Sequence, residues 1–190
     1  MSLHHPYLQT LQATAAFHAG QRPDHPAVLC GDDIVTYAEL HRESNRTAHG
    51  LRATGLVPGA RVAYLGKESQ HYYAILFGCA KSKTVLVPIN WRLTATEVDY
   101  ILADSGTALL FVEDEFLDVA RQVVAELPEP PVVVCLGAAF TAWKSGHPDT
   151  DLGGEGSPDA PLAQIYTSGT TGLPKGGRIR QWKHALRRVR

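Results

Sequence analysis

The spacing of hydrophobic and polar positions changes repeatedly along this chain between a period of two residues and a period of about 3.6. Between residues 61 and 136, short apolar segments alternate with longer ones in which apolar positions recur every three or four residues. The short segments predict strands at 61–65, 84–87, 108–112 and 132–136, and the longer ones predict helices between them. Strict alternation of this kind predicts an α/β fold in which a parallel or mostly parallel sheet is flanked by helices.

Local signals predict where several elements begin and end. Thr36 and Thr94 are each followed three residues later by a glutamate, which is the capping box that opens a helix. These boxes predict helices from Thr36 to about residue 53 and from Thr94 to about residue 104, the second ended by Gly106. A first helix is predicted at 7–20, a short hairpin before Thr36, and a surface loop at 144–161.

Composition indicates a globular protein. The 190 residues are 44% hydrophobic and 19% charged, which is enough to build a buried core. No apolar run reaches the roughly 18 residues of a membrane span, and the first residues lack a secretory signal. The three cysteines are widely spaced and odd in number, which suggests reduced thiols in the core. We therefore expect a cytoplasmic protein without a transmembrane segment.

The net charge of −1 conceals a strong asymmetry. Every acidic residue lies at or before Asp159, whereas 175–190 contain seven basic residues and no acidic ones. Such a basic segment can bind nucleic acid or an anionic membrane. Because the residues just before it indicate a different ligand, we do not expect nucleic acid as a partner.

A run of ten residues with distinctive chemistry follows an apolar strand predicted at 162–166. From Thr167 to Gly176 the chain reads Thr-Ser-Gly-Thr-Thr-Gly-Leu-Pro-Lys-Gly. Four hydroxyl groups, backbone N–H groups freed by two internal glycines, and one lysine are the groups that bind a polyphosphate. Lys175 follows a proline, so the run is not a Walker A loop. An ordinary polar turn is the alternative interpretation.

The ordered string from Tyr166 to Gly176 closely resembles the phosphate-binding signature of the adenylate-forming superfamily, which includes acyl-CoA ligases, adenylation domains of peptide synthetases and luciferase-like enzymes. Three upstream segments are also similar to that superfamily: residues 36–55, 59–63 and, as in fatty-acyl and aryl-acyl CoA ligases, 88–97. The resemblance covers residues 27–176. One departure is Lys83, where relatives usually have glycine.

The resemblance implies a two-step reaction. A small-molecule carboxylic acid, fatty or aromatic, attacks ATP in the presence of Mg²⁺ to form an acyl-adenylate, and a thiol, usually that of coenzyme A, then displaces AMP. It also implies that a loop grips the β- and γ-phosphates through Thr167, Ser168, Gly169, Thr170, Thr171, Gly172 and Lys175. No catalytic residue is assigned. The histidines lack metal-ligand spacing, so no metal ligand is assigned either.

The resemblance stops after Gly176. We therefore divide the chain into residues 1–176, the N-terminal portion of an AMP-binding synthetase domain, and 177–190, a basic tail produced by a frameshift or a truncation. The rival interpretation of the tail is a genuine basic helix. Because the superfamily's later motifs are absent, we expect this chain alone to form neither adenylates nor thioesters. We also expect an exposed sheet edge and marginal stability.

Three functions remain open at this point. The first is an acyl-CoA ligase, which the phosphate loop and residues 88–97 support. The second is an adenylation enzyme that loads a carrier protein, since the thiol acceptor is read elsewhere. The third is a small non-enzymatic protein that binds anions through the loop or nucleic acid through the tail. The sequence leaves the oligomeric state open.

Overall fold

The computed structural model describes residues 8–154, 156–167 and 175–181. The helices of this part of the chain are α1 (Leu11–Gln21), α2 (Tyr37–Ala53), α3 (Gln70–Ser82), α4 (Ala95–Ser105), α5 (Leu117–Glu126) and α6 (Ala138–Ser145). Its strands are β1 (Pro26–Cys30), β2 (Asp33–Thr36), β3 (Arg61–Leu65), β4 (Val85–Ile89), β5 (Thr107–Val112), β6 (Val132–Cys135), β7 (Pro161–Thr167) and β8 (Lys175–Arg180). A 3₁₀ turn, Asp114–Phe116, precedes α5.

Six strands form one mostly parallel sheet in the order β6-β5-β3-β4-β7-β8. Five of them are parallel, and β8 joins the edge antiparallel to β7. The remaining strands, β1 and β2, form a separate antiparallel hairpin. The predicted α/β class with a mostly parallel sheet is therefore confirmed.

Successive side chains along each strand point to opposite faces of the sheet, and helices cover both faces. One cluster contains Tyr64, Leu86 and Phe111 from the strands, packed against residues of α2, α3 and α6. The other contains Ala63, Val87 and Leu110, packed against residues of α4 and α5. Strands β3, β4 and β5 are buried on both faces over almost their whole length, which explains why the sequence shows continuous apolar segments there.

Both predicted capping boxes are present. At the start of α2, the Thr36 N–H donates to Glu39 Oε2 at 2.8 Å, and the Glu39 N–H donates to Thr36 Oγ1 at 3.2 Å. At the start of α4, the Thr94 N–H donates to Glu97 Oε2 at 2.8 Å. These hydrogen bonds lower the pKa of both glutamates, the backbone bond contributing most. Each box satisfies backbone donors that a helix start leaves without a partner.

A buried lysine joins α2 to α3. Lys81 is only 5% exposed, and its ammonium group donates to Ser44 Oγ at 2.8 Å and to Asn45 Oδ1 at 2.7 Å. Burial lowers the pKa of Lys81 to about 8. The helices approach closely at Gly78, where a Cβ atom would lie 2.7 Å from Thr47. This pair of helices forms a rigid layer over one face of the sheet.

Three details differ from the expectations. Helix α1 begins at Leu11 rather than residue 7, because the Thr10 side chain caps it by accepting from the Ala13 N–H at 3.2 Å. Strand β4 continues through Pro88, which the sequence predicted to end it. Helix α6 lies between β6 and the loop, where no helix was predicted. Apart from these, the predicted order of strands and helices is the order found.

Strand β8 crosses the proposed division after Gly176. Residues 177–180 continue the pairing with β7, so that Arg178 lies opposite Gln164 and Ile179 opposite Ala163. The next residue, Gln181, is 2% exposed, and its Oε1 accepts from the Leu11 N–H at 3.2 Å. The division itself stays a prediction, and residues 182–190 lie outside the described ranges.

The three cysteine side chains differ in their exposure to solvent. All three cysteines are free, but only Cys79 lies in the core, where burial raises the pKa of its thiol to about 12. Cys30 and Cys135 are half-buried, so the prediction of core thiols holds for Cys79 alone. In the part of the chain that the structure describes, no helix is both long and apolar enough to cross a bilayer.

Candidate functional site

The predicted phosphate loop connects the two strands of the β7–β8 hairpin. Its ends, Thr167 and Lys175, lie directly opposite each other in the antiparallel register. Because β7 runs parallel to β4, Thr167 lies at the carboxyl end of its strand, on the side where the parallel strands of the sheet end. Open α/β sheets bind their ligands at that edge.

The structure places two of the seven predicted loop residues. Thr167 and Lys175 are both exposed, so a hydroxyl group and an ammonium group flank the loop at its base. The other five residues lie outside the described ranges, and their roles stay predictions: Ser168, Gly169, Thr170, Thr171 and Gly172.

Lys175 is the cation positioned to meet an anion in the loop. Among the described residues, no carboxylate forms an ion pair with it. The next cations of the same strand are Arg178, opposite Gln164, and Arg180, which pairs with Asp159 at 3.0 Å. Arg180 pairs with Asp159, and Arg178 lies three residues from Lys175, so among the described residues of β8 the positive charge at the loop is that of Lys175.

The base of the loop is held by residues that the sequence did not single out. The Tyr166 hydroxyl donates to Asp104 Oδ2 on α4 at 2.5 Å and accepts from Gln164 Nε2 at 2.8 Å. Burial and the hydrogen bond to Asp104 raise the pKa of Tyr166 well above its usual range. The phenol therefore remains a hydrogen-bond donor at neutral pH, and it ties the end of β7 to α4.

The last residue of the motif, Gly176, packs closely against side chains of β7. A Cβ atom there would lie 2.9 Å from Gln164 Nε2 and 3.1 Å from Tyr166 Cζ. A side chain at this position would crowd the Gln164 amide and the Tyr166 ring, so glycine lets β8 lie close to the ring without displacing either group. The sequence shows a glycine directly after the lysine, but it does not show which side chains pack against that glycine.

The segment 88–97, which also carried the resemblance, begins in β4 and leads into α4 at the same edge of the sheet. There the Lys67 ammonium lies 5.2 Å from the centre of the Trp91 ring and 2.6 Å from Glu115 Oε2. The Arg92 guanidinium lies over the same ring, 4.3 Å from its centre. These contacts fix the segment between the ends of β3 and β5, and we assign it no chemical role.

The described residues offer no cluster of ligands for the magnesium ion that the resemblance implied. In residues 8–154, 156–167 and 175–181, no group of three or more histidine, cysteine, aspartate or glutamate side chains could hold a metal ion. The described residues therefore do not fit a resident metal site. We assign no step of the chemistry to the metal.

Comparison with known proteins agrees with the resemblance. The sequence model of the AMP-binding enzyme family matches residues 16–185. Over 175 residues, which are 92% of this chain and 33% of the relative, the chain is 64% identical to the fatty acid–[acyl-carrier-protein] ligase ScoC of Streptomyces coeruleorubidus. It is 37% identical over 158 residues to a 3-hydroxybenzoate–CoA ligase of Aromatoleum sp. strain CIB, covering 80% of this chain and 30% of that one.

The fold is equally similar. The crystal structure of the anthranilate CoA ligase AuaEII in complex with anthranoyl-AMP superposes with a TM-score of 0.88 at 25% identity. That superposition covers 98% of this chain and 36% of the other. The chain thus spans about a third of the length of the curated relatives that it matches. On its family match and its relatives, the chain belongs to the AMP-binding enzyme family.

Proposed function

We propose that this protein serves the ATP-dependent activation of a carboxylic acid, and that the β7–β8 hairpin supplies its phosphate-binding loop. In this proposal the acid attacks the α-phosphate, an acyl-adenylate forms, and pyrophosphate leaves. The hairpin binds the β- and γ-phosphates, which become the leaving group. Its donors offset the negative charge that develops on the pyrophosphate, which is where electrostatic stabilisation accelerates such a reaction.

The observation that carries the proposal is the position of Thr167 opposite Lys175 at the carboxyl edge of the sheet. A hydroxyl group and an exposed ammonium group flank a loop rich in hydroxyl and glycine residues. Charge-assisted hydrogen bonds from such groups are the strong contacts that phosphates make. A turn with no ligand has no need of this combination at its two ends.

The acid and the thiol acceptor are suggested by the relatives. The relative at 64% identity is named for a fatty acid and an acyl carrier protein, whereas the relative at 37% is named for 3-hydroxybenzoate and coenzyme A. We therefore propose a fatty acid as substrate and a carrier-protein thiol as acceptor, with coenzyme A as the alternative. Because we expect the 190-residue chain alone to form no adenylate, the acid is tested by binding, through calorimetric titration of the chain with fatty acids and with benzoates. Binding of benzoates but not of fatty acids would contradict the proposal.

The phosphate loop is tested by titrating the 190-residue chain with inorganic pyrophosphate and with Mg-ATP in a calorimeter. We expect Lys175→Ala to weaken both affinities by about tenfold or more, the usual effect of losing a charge-assisted contact. Thr167→Ala is expected to weaken them less, since it removes a neutral hydroxyl group.

The matched control is Arg178→Ala. It removes the same charge from the same strand, but Arg178 lies opposite Gln164 rather than at the loop. We expect its affinity to stay within about threefold of the parent, since only the general electrostatic attraction changes. Equal losses in both variants, falling steeply with salt, would instead indicate non-specific anion binding. Absence of binding in the parent chain would also defeat the proposal.

A further inference from the structure

We propose that Tyr166 is a positioning residue for phosphate binding, which sets the two ends of the loop through its contacts with Asp104 and Gly176. The inference rests on the function proposed for the β7–β8 hairpin and adds the group that holds the hairpin in shape. Tyr166 immediately precedes Thr167, and Gly176 immediately follows Lys175. Tyr166 and Gly176 lie opposite each other in the register, one step below the loop.

The first contact fixes the β7 side of the loop. The Tyr166 hydroxyl spans from the sheet to α4, where it donates to Asp104 Oδ2 at 2.5 Å, a short and well-formed bond to a charged acceptor. Gln164 Nε2 donates to the Tyr166 hydroxyl oxygen at 2.8 Å, so the hydroxyl group is engaged both as a donor and as an acceptor. Its ring is thereby fixed in one orientation, and with it the backbone that leads into Thr167.

The second contact fixes the β8 side. The same ring lies against the backbone of Gly176, where an added Cβ would come within 3.1 Å of Tyr166 Cζ and 3.2 Å of Tyr166 Cε1. One side chain thus determines how closely β8 approaches β7 at the level where the loop begins. Since Lys175 is the next residue, its distance from Thr167 depends on this ring.

Positioning matters here because the ends of the hairpin are otherwise weakly held. Strand β8 is an edge strand of the sheet, and β7 is paired to β4 at Leu86 and Ala163, well before the loop. Near the loop, the described side chain that connects the hairpin to a helix is that of Tyr166, which binds Asp104 on α4. A phosphate-binding loop needs its donors held in place before the ligand arrives, because ordering them at binding costs affinity.

The inference is tested by calorimetric titration of the whole chain with inorganic pyrophosphate, for Tyr166→Phe, Asp104→Ala, Asp104→Asn and the double variant Tyr166→Phe/Asp104→Ala. We expect Tyr166→Phe and Asp104→Ala each to weaken binding by about five- to tenfold, the effect of one hydrogen bond. Asp104→Asn keeps an oxygen acceptor and should recover most of the affinity. The double variant should be no weaker than either single one, because both remove the same bond.

The matched control is Tyr73→Phe. The Tyr73 hydroxyl also donates to a carboxylate, that of Glu68, but neither residue belongs to the β7–β8 hairpin. We expect Tyr73→Phe to bind pyrophosphate as the parent does. If it weakens binding as much as Tyr166→Phe, the effect is one of general stability and the inference is wrong.

Hydrogen exchange provides a second measurement that does not depend on binding. In the absence of ligand, Tyr166→Phe should speed exchange of the backbone amides of Lys175 and Gly176 while those of β3 and β5 keep their rates. Unchanged exchange at Lys175 and Gly176 would overturn the inference. Binding that is lost in Lys175→Ala but intact in Tyr166→Phe would overturn the inference alone, whereas a parent chain that binds no pyrophosphate would overturn the proposed function as well.

Discussion

At the scale of single residues, Lys83 holds a conformation that its side chain does not favour. It ends α3 with a φ of 64°, in the left-handed region, and it is the non-glycine residue with a positive φ in the described part of the chain. Its carbonyl oxygen accepts from the Gly59 N–H at 2.8 Å, so the turn is held by the fold. The left-handed conformation costs a residue with a Cβ about 1–2 kcal/mol. This is also the position where the resemblance led us to expect glycine.

We therefore predict that Lys83→Gly raises the free energy of unfolding by about 0.5–1 kcal/mol. The relief of strain is the larger effect, and the greater entropy of glycine in the unfolded chain offsets part of it. Urea denaturation followed by circular dichroism measures the change. Arg42→Gly is the control, because it also replaces an exposed cation by glycine but in the interior of α2, where it should cost about 1 kcal/mol. Destabilisation by both substitutions would contradict the prediction.

The candidate site shows which residues a sequence can and cannot reveal. Thr167 and Lys175 were predictable because a hydroxyl-rich, glycine-rich loop with a lysine has a chemistry of its own. Asp104 was not, because it lies 62 positions from Tyr166 along the chain and looks like any exposed helical acid. The glycine at position 176 is evident in the sequence, but the contact that favours glycine there, with the Tyr166 ring, is seen only in the structure. Residues that act through a distant partner carry no local signal.

At the scale of elements, α6 is the helix that the sequence did not predict. It follows Gly137, whose φ of 87° turns the chain after β6, and it spans only eight residues. Its apolar positions Phe140 and Trp143 enter a cluster of aromatic rings with Phe111. A helix this short owes its stability to packing rather than to its own sequence, so periodicity alone could not identify it. The longer helices with capping boxes were predictable for the opposite reason.

The packing of α6 against α2 leads us to predict an unusual effect on stability for a substitution at Gly50. Replacing a glycine by alanine inside a helix ordinarily stabilises it by about 0.5–1 kcal/mol. At Gly50, however, a Cβ atom would lie 2.6 Å from Cη2 of Trp143, whose ring is stacked on Phe140 and cannot retreat freely. We expect Gly50→Ala to destabilise the protein by about 1–3 kcal/mol through this overpacking.

Gly20 is the matched control for Gly50. It lies in α1 with no atom within 4 Å of the position that a Cβ would take, so Gly20→Ala should show the ordinary gain. Thermal unfolding should show a lower midpoint for Gly50→Ala and a higher midpoint for Gly20→Ala than for the parent. A gain in both variants would mean that α6 does not pack on α2 as described.

At the scale of the whole molecule, the sheet joins segments that are far apart in the sequence. Parallel order and alternation of helices and strands were predictable because buried strands and amphipathic helices have different periods. The order β6-β5-β3-β4-β7-β8 was not, since no local pattern tells which strands become neighbours. The same holds for the end of the described chain, where Gln181 returns to the start of α1 although its surroundings in the sequence look unlike the rest.

Those contacts lead to a prediction about where the folded unit ends. A chain shortened to residues 1–176 loses four residues of β8 and Gln181, whose backbone N–H also donates to the Ala160 carbonyl oxygen at 3.1 Å. The edge of β7 would then be largely unpaired, and Ile165, already 36% exposed, would become more accessible.

We expect residues 1–176 to melt at least about 5 °C below residues 1–181, since roughly 1 kcal/mol shifts the melting temperature of a chain of this size by 2–4 °C. Equal melting of 1–176 and 1–181 would favour the division after Gly176, and a lower midpoint for 1–176 would place residues 177–181 within the fold.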